Sequence, residues 1–328
     1  MKLAIIGRTQ VLYDTALALR AAGHQIGCVL TAPAAPEYTR TEEDFRQLAD
    51  ASGAPYFCAT PGSRPDVEAL FHGLDAGVSV NWISVVTARQ IAMFRVGILN
   101  AHHGDLPAYR GNACSNWAML QGESSITATI HLMEGGAIDC GRIICQERYP
   151  LTERSTIGDV YDWSQTSTPG LFARAIELLA RDPDYTLRIA RRDSEESFRC
   201  YPRMPEDSYI DWTRPVRDVD ALVRASSRPF SGAYTFHWEG SAVRKLHVFS
   251  CRIISEDTRD LAAAGQVLEN NRETGESLVR CGPGVLALGS CRYEDESEEF
   301  APGRRWTTIR MRLGIRAEDW LWQLTNKK

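Results

Sequence analysis

Asn100 and His102 stand two residues apart in the run Asn100-Ala101-His102-His103-Gly104-Asp105-Leu106-Pro107-Ala108-Tyr109-Arg110-Gly111. If the residues leading into them form a strand, both side chains leave it on one face. A primary amide that donates, set beside an imidazole that accepts, can polarise a carbonyl group and take up a proton. An isolated Asn-x-His is more commonly a capped turn with a solvated imidazole, so the spacing alone leaves both readings open. His103 points to the opposite side of an extended segment, which suits a structural or substrate-gating role. His102, His103 and Asp105 could together suggest a metal. A strand that runs into a turn does not converge them, however, and no Cys or second carboxylate follows at ligand spacing. No metal is expected.

The elements that must position this pair are readable in the first half of the chain. Leu3–Ile6 reads as a buried strand and Leu12–Ala22 as a helix ended by Gly23. Gln25–Thr31 is a second strand. Thr41 caps a helix to Ala51, with Glu42, Glu43 and Asp44 in the first turn, where the helix dipole favours acids. A short strand is predicted near Tyr56–Cys58, and Pro65-Asp66 opens a helix to about Leu74. Ala76–Val80 and Gly97–Asn100 read as buried strands around a helix near Thr87–Phe94. Strands alternating with helices at this spacing predict an α/β, Rossmann-like, mostly parallel twisted sheet with flanking helices. In such sheets ligands lie beyond the carboxyl ends of the strands, where Asn100 and His102 fall. Gly7-Arg8-Thr9-Gln10 carries one glycine only, so the phosphate cradle of a dinucleotide fold is missing.

Further along, Ser125–Leu132 alternates, with Ile126, Ala128, Ile130 and Leu132 on one face. Arg142–Gln146 follows the Gly135-Gly136 turn, and the two segments predict a hairpin-like pair. A helical stretch runs from Ser155 or Thr156 through Leu179, with a break or kink expected at Pro169-Gly170. Residues 182–205 read as a linker. A helix over Val216–Ala225 and strands at Ser241–Cys251, Gly265–Leu268, Glu276–Cys281 and Gly284–Ala287 predict a smaller C-terminal, OB-like β-barrel. The expected division is therefore a catalytic domain over 1–200 and a β-rich domain over 201–328.

The ordered set of motifs is far more specific than any one of them. N-x-H-x-[GS]-x-L-P-x-Y-R-G is followed by Trp117-Ala118, Gly122-Glu123 and Asp139-Cys140-Gly141, and then by Ile210-Asp211-Trp212, Val223-Arg224-Ala225 and Arg228-Pro229-Phe230-Ser231-Gly232-Ala233-Tyr234. Along most of its length the chain resembles the formyltetrahydrofolate-dependent formyltransferases, and most of all the sugar-nucleotide N-formyltransferases. The family usually has Pro where this chain has Ser231, a difference that concerns a turn.

The resemblance implies a catalytic triad of Asn100, His102 and Asp139. It implies N10-formyltetrahydrofolate as co-substrate, held largely through backbone at Trp82, Ile83, Ser84 and Val86, with the loop from Met133 to Asp139 closing the other side. Trp82 and Ile83 serve equally well as ordinary core residues. His103, Arg110 and Trp117 are the substrate-binding candidates, Arg110 for a phosphate and Trp117 for a sugar or base.

Charge separates the possible amines. The net charge of the chain is -5. Residues 201–328 carry 19 basic and 19 acidic side chains, and residues 31–50 carry two Arg against five acids. A tRNA-binding member would need a strong positive field, which this balance lacks. The expected reaction is therefore formyl transfer to a primary amine of a nucleotide-linked amino sugar, with no nucleic-acid partner. Another small amine metabolite, or hydrolysis of formyltetrahydrofolate by the same triad, is the alternative. A non-catalytic nucleotide-binding protein would have no reason to keep all three residues. The apolar run after Met1-Lys2 stops at Gly7, and no stretch approaches the about 20 residues of a membrane helix. Nine scattered cysteines without a CxxC pair read as reduced core thiols. A cytoplasmic homodimer with no membrane contact is expected.

Overall fold

The computed structural model describes residues 1–35, 38–59, 68–188, 197–240, 242–257, 261–315 and 317–325. Its elements begin β1 (Lys2–Gly7), α1 (Gln10–Ala21), β2 (Gln25–Thr31), α2 (Glu42–Asp50), β3 (Tyr56–Cys58), α3 (Glu68–Phe71), β4 (Ala76–Val80), α4 (Ala88–Ile91) and β5 (Gly97–His102). They continue with β6 (Tyr109–Gly111), α5 (Cys114–Leu120), β7 (Ser125–Leu132), β8 (Ile143–Pro150), α6 (Ile157–Arg181) and β9 (Phe198–Cys200). The chain divides into two compact units. The first comprises Met1–Cys114, Ser125–Pro150 and Tyr161–Tyr201, and the second Ser115–Ser124, Leu151–Val160 and Pro202–Lys328.

The first unit is built on a seven-stranded sheet of order β3-β2-β1-β4-β5-β7-β8. Strands β1 to β5 pair in parallel, and β7 and β8 extend the sheet antiparallel. Central strands of this kind are buried on both faces and read as continuous apolar runs, as Lys2–Gly7 and Ala76–Val80 do. One face packs Leu3, Ile5, Val29, Val78, Leu99 and Ile130 under α1, α2 and α6. The other packs Ala4, Ile6, Leu30 and Ile98 against Phe71 and Phe94. The order reverses between β1 and β4, which opens a crevice beyond the carboxyl ends of β1, β4 and β5.

Local chemistry fixes the element ends. At the start of α2 the Thr41 N–H donates to Asp44 Oδ2 at 2.8 Å. At α4 the Gln90 N–H donates to Thr87 Oγ1 at 3.2 Å, and Gln90 Oε1 accepts from the Thr87 N–H at 3.0 Å. Both are capping boxes. The helix expected over Thr87–Phe94 is shorter, at Ala88–Ile91. Of the helix expected from Pro65 to Leu74, residues 65–67 lie outside the described residues, and Glu68–Phe71 is helical.

Two expectations need correction. Helix α6 runs unbroken through Pro169 for 25 residues. Its far half buries Leu171, Phe172, Ile176 and Leu179 almost completely. At about 1.5–3 kcal/mol each, that burial outweighs the roughly 3 kcal/mol an internal proline costs. The stretch read as a linker contains β9, which pairs in parallel with β6.

The second unit contains a 3₁₀ turn (Pro205–Ser208), α7 (Val216–Ser226), β10 (Ala233–Glu239), β11 (Ala242–Ser255), β12 (Val267–Asn270), β13 (Ser277–Arg280), β14 (Val285–Tyr293), α8 (Pro302–Arg305) and α9 (Ala317–Thr325). Its five strands form an antiparallel half-barrel of order β10-β11-β14-β13-β12. Residues 311–314 span the two open edges. The Val267 N–H donates to the Met311 carbonyl at 3.0 Å, Leu313 N–H to Gly265 at 2.8 Å and Gly314 N–H to Phe236 at 2.8 Å. The core holds Trp212, Val223, Leu246, Val248, Leu286 and Tyr293. The expected α/β sheet and C-terminal β-barrel are thus both found. All nine cysteines are free thiols. Among the described residues no helix is long and apolar enough to cross a membrane.

Candidate functional site

Strand β5 carries Asn100 and His102 to the mouth of the crevice, and β7 supplies the opposite wall. The antiparallel register sets Asn100 across from His131 and His102 across from Thr129. On β7 the apolar residues Ile126, Ala128, Ile130 and Leu132 face the helices. The intervening Thr129 and His131 therefore share the face of Asn100 and His102.

His102 is 7 % exposed and His131 is 2 % exposed. The Asn100 Nδ2 group donates to His131 Nε2 at 3.3 Å, and His131 Nδ1 donates to the Leu132 carbonyl at 3.0 Å. His102 Nε2 donates to the Tyr109 carbonyl at 2.8 Å, which leaves Nδ1 directed at Asp139 Oδ2, 3.4 Å away. The other Asp139 oxygen lies 3.4 Å from His131 Nε2. One carboxylate therefore faces both imidazoles, and it also accepts the Gly111 N–H at 2.9 Å.

Two glycines make this convergence possible. A Cβ on Gly104 would lie 2.4 Å from His102 Nε2 and 2.7 Å from the Tyr109 carbonyl. Only a bare backbone lets residues 104–109 fold back over the ring. A Cβ on Gly141 would lie 1.7 Å from the Leu132 carbonyl, where the loop returns and the Leu132 N–H donates to Arg142 at 2.9 Å. Asp139 itself has φ 53°. That is the left-handed region, which Asp tolerates better than most residues. The loop is thus held against a local preference in order to aim one carboxylate.

The charge states follow from these contacts. Burial alone would push the Asp139 carboxyl up. The neighbouring His131 and His102 imidazoles and the Gly111 N–H outweigh it and hold the group below the ordinary carboxylate range. Burial pulls the His102 imidazole below its usual value, against the opposing pull of Asp139 and the Tyr109 carbonyl. The site thus offers an ionised carboxylate, a neutral imidazole beside it and an amide N–H pointing along the same wall. That set can stabilise a developing oxyanion and relay a proton.

The remaining candidates fall in different places. Trp82, Val86 and Met133 pack, partly buried, against the Phe94–Ile98 cluster. Ile83 is half-buried beside them in sequence, and Ser84 is exposed. Residues 82–86 follow β4 at its carboxyl end, and Met133 follows the antiparallel β7, its N–H donating to the Ile98 carbonyl at 2.8 Å. His103 is turned away from the other three. Its Nε2 lies 3.3 Å from Thr168 Oγ1 on α6, and burial drives its imidazole down to about 4. Arg110 Nη1 donates to Cys140 Sγ at 2.9 Å, one residue from Asp139. Trp117 lies in α5 and belongs to the second unit. Among the described residues no group of three or more His, Cys, Asp or Glu could hold a metal ion.

His131 was not singled out from the sequence. The alternation of β7 already put it on the polar face, but its partnership with Asn100 depends on a cross-strand register that no local pattern encodes. The Tyr109 carbonyl and the supporting Thr129 are hidden for the same reason. Thr129 donates its hydroxyl to the Gly104 carbonyl at 2.8 Å and accepts from Gln146 Nε2 at 3.0 Å.

Residues 1–176 match the family model described as formyl transferase, and residues 203–303 match its C-terminal domain model. By sequence, the chain is 27 % identical over 295 residues to the methionyl-tRNA formyltransferase of Pelotomaculum thermopropionicum, covering 88 % of this chain and 90 % of that protein. It is 27 % identical over 299 residues to the methionyl-tRNA formyltransferase of Moorella thermoacetica, covering 88 % and 91 %. By structure, it resembles the N-formyltransferase of Helicobacter canadensis in complex with folinic acid and dTDP-3-aminofucose, with TM-score 0.63 at 15 % identity over 88 % of this chain and 98 % of that one. It also resembles WlaRD, a sugar 3N-formyl transferase, with TM-score 0.60 at 14 % identity over 90 % and 99 %.

Proposed function

This chain belongs to the formyl transferase family, and we propose that it moves a formyl group from N10-formyltetrahydrofolate to the primary amine of a nucleotide-linked amino sugar. The observation that supports the reaction is that Asp139 lies beside His102 and, through His131, next to Asn100, near the carboxyl end of β5. The amine attacks the formyl carbon, a C–N bond forms and charge collects on the formyl oxygen. The Asn100 amide stabilises that oxygen. The proton leaving the attacking nitrogen passes to the coupled His102–Asp139 pair and from it to N10, which departs as the C–N10 bond breaks. The pteridine lies against Trp82, Ile83, Ser84, Val86 and Met133. No metal takes part.

The acceptor is argued from charge. With a net charge of -5 and an even balance over residues 201–328, the chain lacks the positive field a polyanion needs. A small acceptor needs none. The domains are then a catalytic 1–200 and a β-rich 201–328, and the active species is a cytoplasmic homodimer. A second reading, a methionyl-tRNA acceptor, is favoured by the names of the sequence relatives.

The test is an absorbance assay of tetrahydrofolate release with a panel of dTDP-, UDP- and GDP-linked amino sugars, and with charged initiator tRNA, alongside mass spectrometry of the acceptor. Release that depends on one amino sugar, which gains a formyl group in place of a hydrogen, supports the proposal. Faster release with charged tRNA overturns it. Release without any acceptor points to hydrolysis.

A further inference from the structure

The small parallel sheet of β6 and β9 sets two arginines side by side. Tyr109, Arg110 and Gly111 pair in register with Phe198, Arg199 and Cys200. The first pair brings its rings to 5.2 Å between centroids, so cross-strand neighbours here are also side-chain neighbours. Successive side chains of a strand leave on opposite faces. Arg110 and Arg199 therefore share the other face, joined by Tyr201, whose ring lies 5.9 Å from the Arg199 guanidinium.

Among the described residues no carboxylate pairs with the charges on this face. Some arginines are matched with acids, as Arg252 is with Glu276 and Arg224 with Asp220, and others donate to carbonyls, as Arg142 does to Pro183 and Arg203 to Ala225. Among the described residues neither Arg110 nor Arg199 has such a partner. Arg110 donates to a thiol, Cys140 Sγ, and its Nε is buried without an acceptor. Like charges directly opposite each other weaken a sheet, and a shared anion would reverse the sign of that interaction. The pair also adjoins the chemistry. Arg110 precedes Gly111, whose N–H holds Asp139, and its side chain holds the residue that follows Asp139.

We propose that Arg110 and Arg199 form a diphosphate subsite. Guanidinium forks bind phosphoryl oxygens two at a time. Two of them on strands about 4.8 Å apart address two neighbouring phosphoryl groups. Held there, a diphosphate-bearing acceptor presents the rest of its length toward Asp139. The assignment of that diphosphate to a nucleotide-linked acceptor rests on the function proposed above. The existence of the subsite does not.

The experiment is calorimetric titration of the full chain with inorganic diphosphate, for the wild type, Arg110→Gln, Arg199→Gln and Arg199→Lys. Arg199 is exposed, so its variants fold even if Arg110→Gln disturbs the Asp139 loop. The wild type binds diphosphate with an affinity that falls as salt rises. Arg199→Gln binds roughly tenfold or more weakly, and Arg199→Lys falls between. Equal affinity in wild type and Arg199→Gln, or no binding by the wild type, overturns the subsite. Diphosphate binding that Arg199→Gln weakens, in a protein that formylates no amino-sugar nucleotide, keeps the subsite and removes the proposed acceptor. Displacement of the bound diphosphate by tRNA at lower concentration than by UDP assigns the phosphates to a nucleic acid and overturns the nucleotide-sugar source.

Discussion

Asn100 and His131 face each other across neighbouring antiparallel strands, and the amide nitrogen of the first donates to the ring nitrogen of the second at 3.3 Å. The amide is thereby oriented by a group outside the triad. His131 in turn is fixed by the Leu132 carbonyl and lies 3.4 Å from Asp139. His131→Ala is expected to lower kcat roughly tenfold or more, because Asn100 and Asp139 lose a common support. The KM for the folate is expected to change little, since His131 is not among the pteridine-binding candidates. Steady-state kinetics with both substrates varied would show this, and an unchanged kcat would mean the contact is incidental.

The triad assignment predicts larger losses. Removing one oxyanion donor costs roughly 10²–10³ in rate, so Asn100→Ala should lose about that much. His102→Ala and Asp139→Ala should abolish transfer in protein whose circular dichroism and melting profile stay native-like. Full activity in any of the three removes that residue from the mechanism.

The two close-approach glycines give a structural test. Gly104→Ala forces a methyl group against His102 and the Tyr109 carbonyl. An overpacking cost of about 1–3 kcal/mol is expected, together with a loss of kcat greater than the loss of stability explains. Gly141→Ala collides with the Leu132 carbonyl and should displace Asp139, giving a poorly active and less stable protein. Thermal melts paired with kinetics would separate the two effects.

Acid should destabilise the chain through histidines that are buried or part-buried. His103 is driven from 6.5 to about 4, and His102 and His237 are also lowered, in each case chiefly by burial. A histidine whose folded value is depressed binds more protons when unfolded. Its contribution is fully present above pH 6.5 and is lost as pH falls toward the folded value. His103 alone should account for about 3 kcal/mol of that loss between pH 6.5 and 4. Asp139, also depressed, adds a separate loss only below its ordinary value of 3.8. Melting temperatures of the wild type and His103→Gln measured from pH 7.5 to 4 should converge as pH falls, and parallel curves would refute the assignment.

The parts of this molecule legible in its sequence are the ones set by local rules. The bounds of Gln25–Thr31, Tyr56–Cys58 and Ala76–Val80 follow from continuous apolar runs, and the cap at Thr41 from the acids that open its helix. Asn100 and His102 announce themselves through spacing. The rest was set at a distance. Proline 169 looked like a helix breaker because the burial beyond it is a tertiary fact. Strand β10 escaped notice because its alternation is inverted. Its polar Thr235 and His237 face inward and its aromatic Tyr234, Phe236 and Trp238 do not. The inward polar groups are tolerated because Trp212 Nε1 donates to Thr235 Oγ1 at 2.9 Å and His237 Nε2 lies 3.1 Å from Tyr293 Oη. Strand β9 hid inside a charged stretch because it is three residues long and gains its identity from β6.

The strap over residues 311–314 also imposes an order of events during synthesis. Its hydrogen bonds at Gly265, Val267 and Phe236 join the two open margins of the C-terminal half-barrel. On a ribosome those margins are made long before the segment that joins them. Until residue 314 emerges, β12 and the end of β10 beyond the Tyr234 carbonyl, which takes the Ile210 N–H, present backbone to any neighbouring nascent chain. A stalled or clipped product ending before residue 311 would therefore be sticky at two edges, while the first unit has its own sheet already complete.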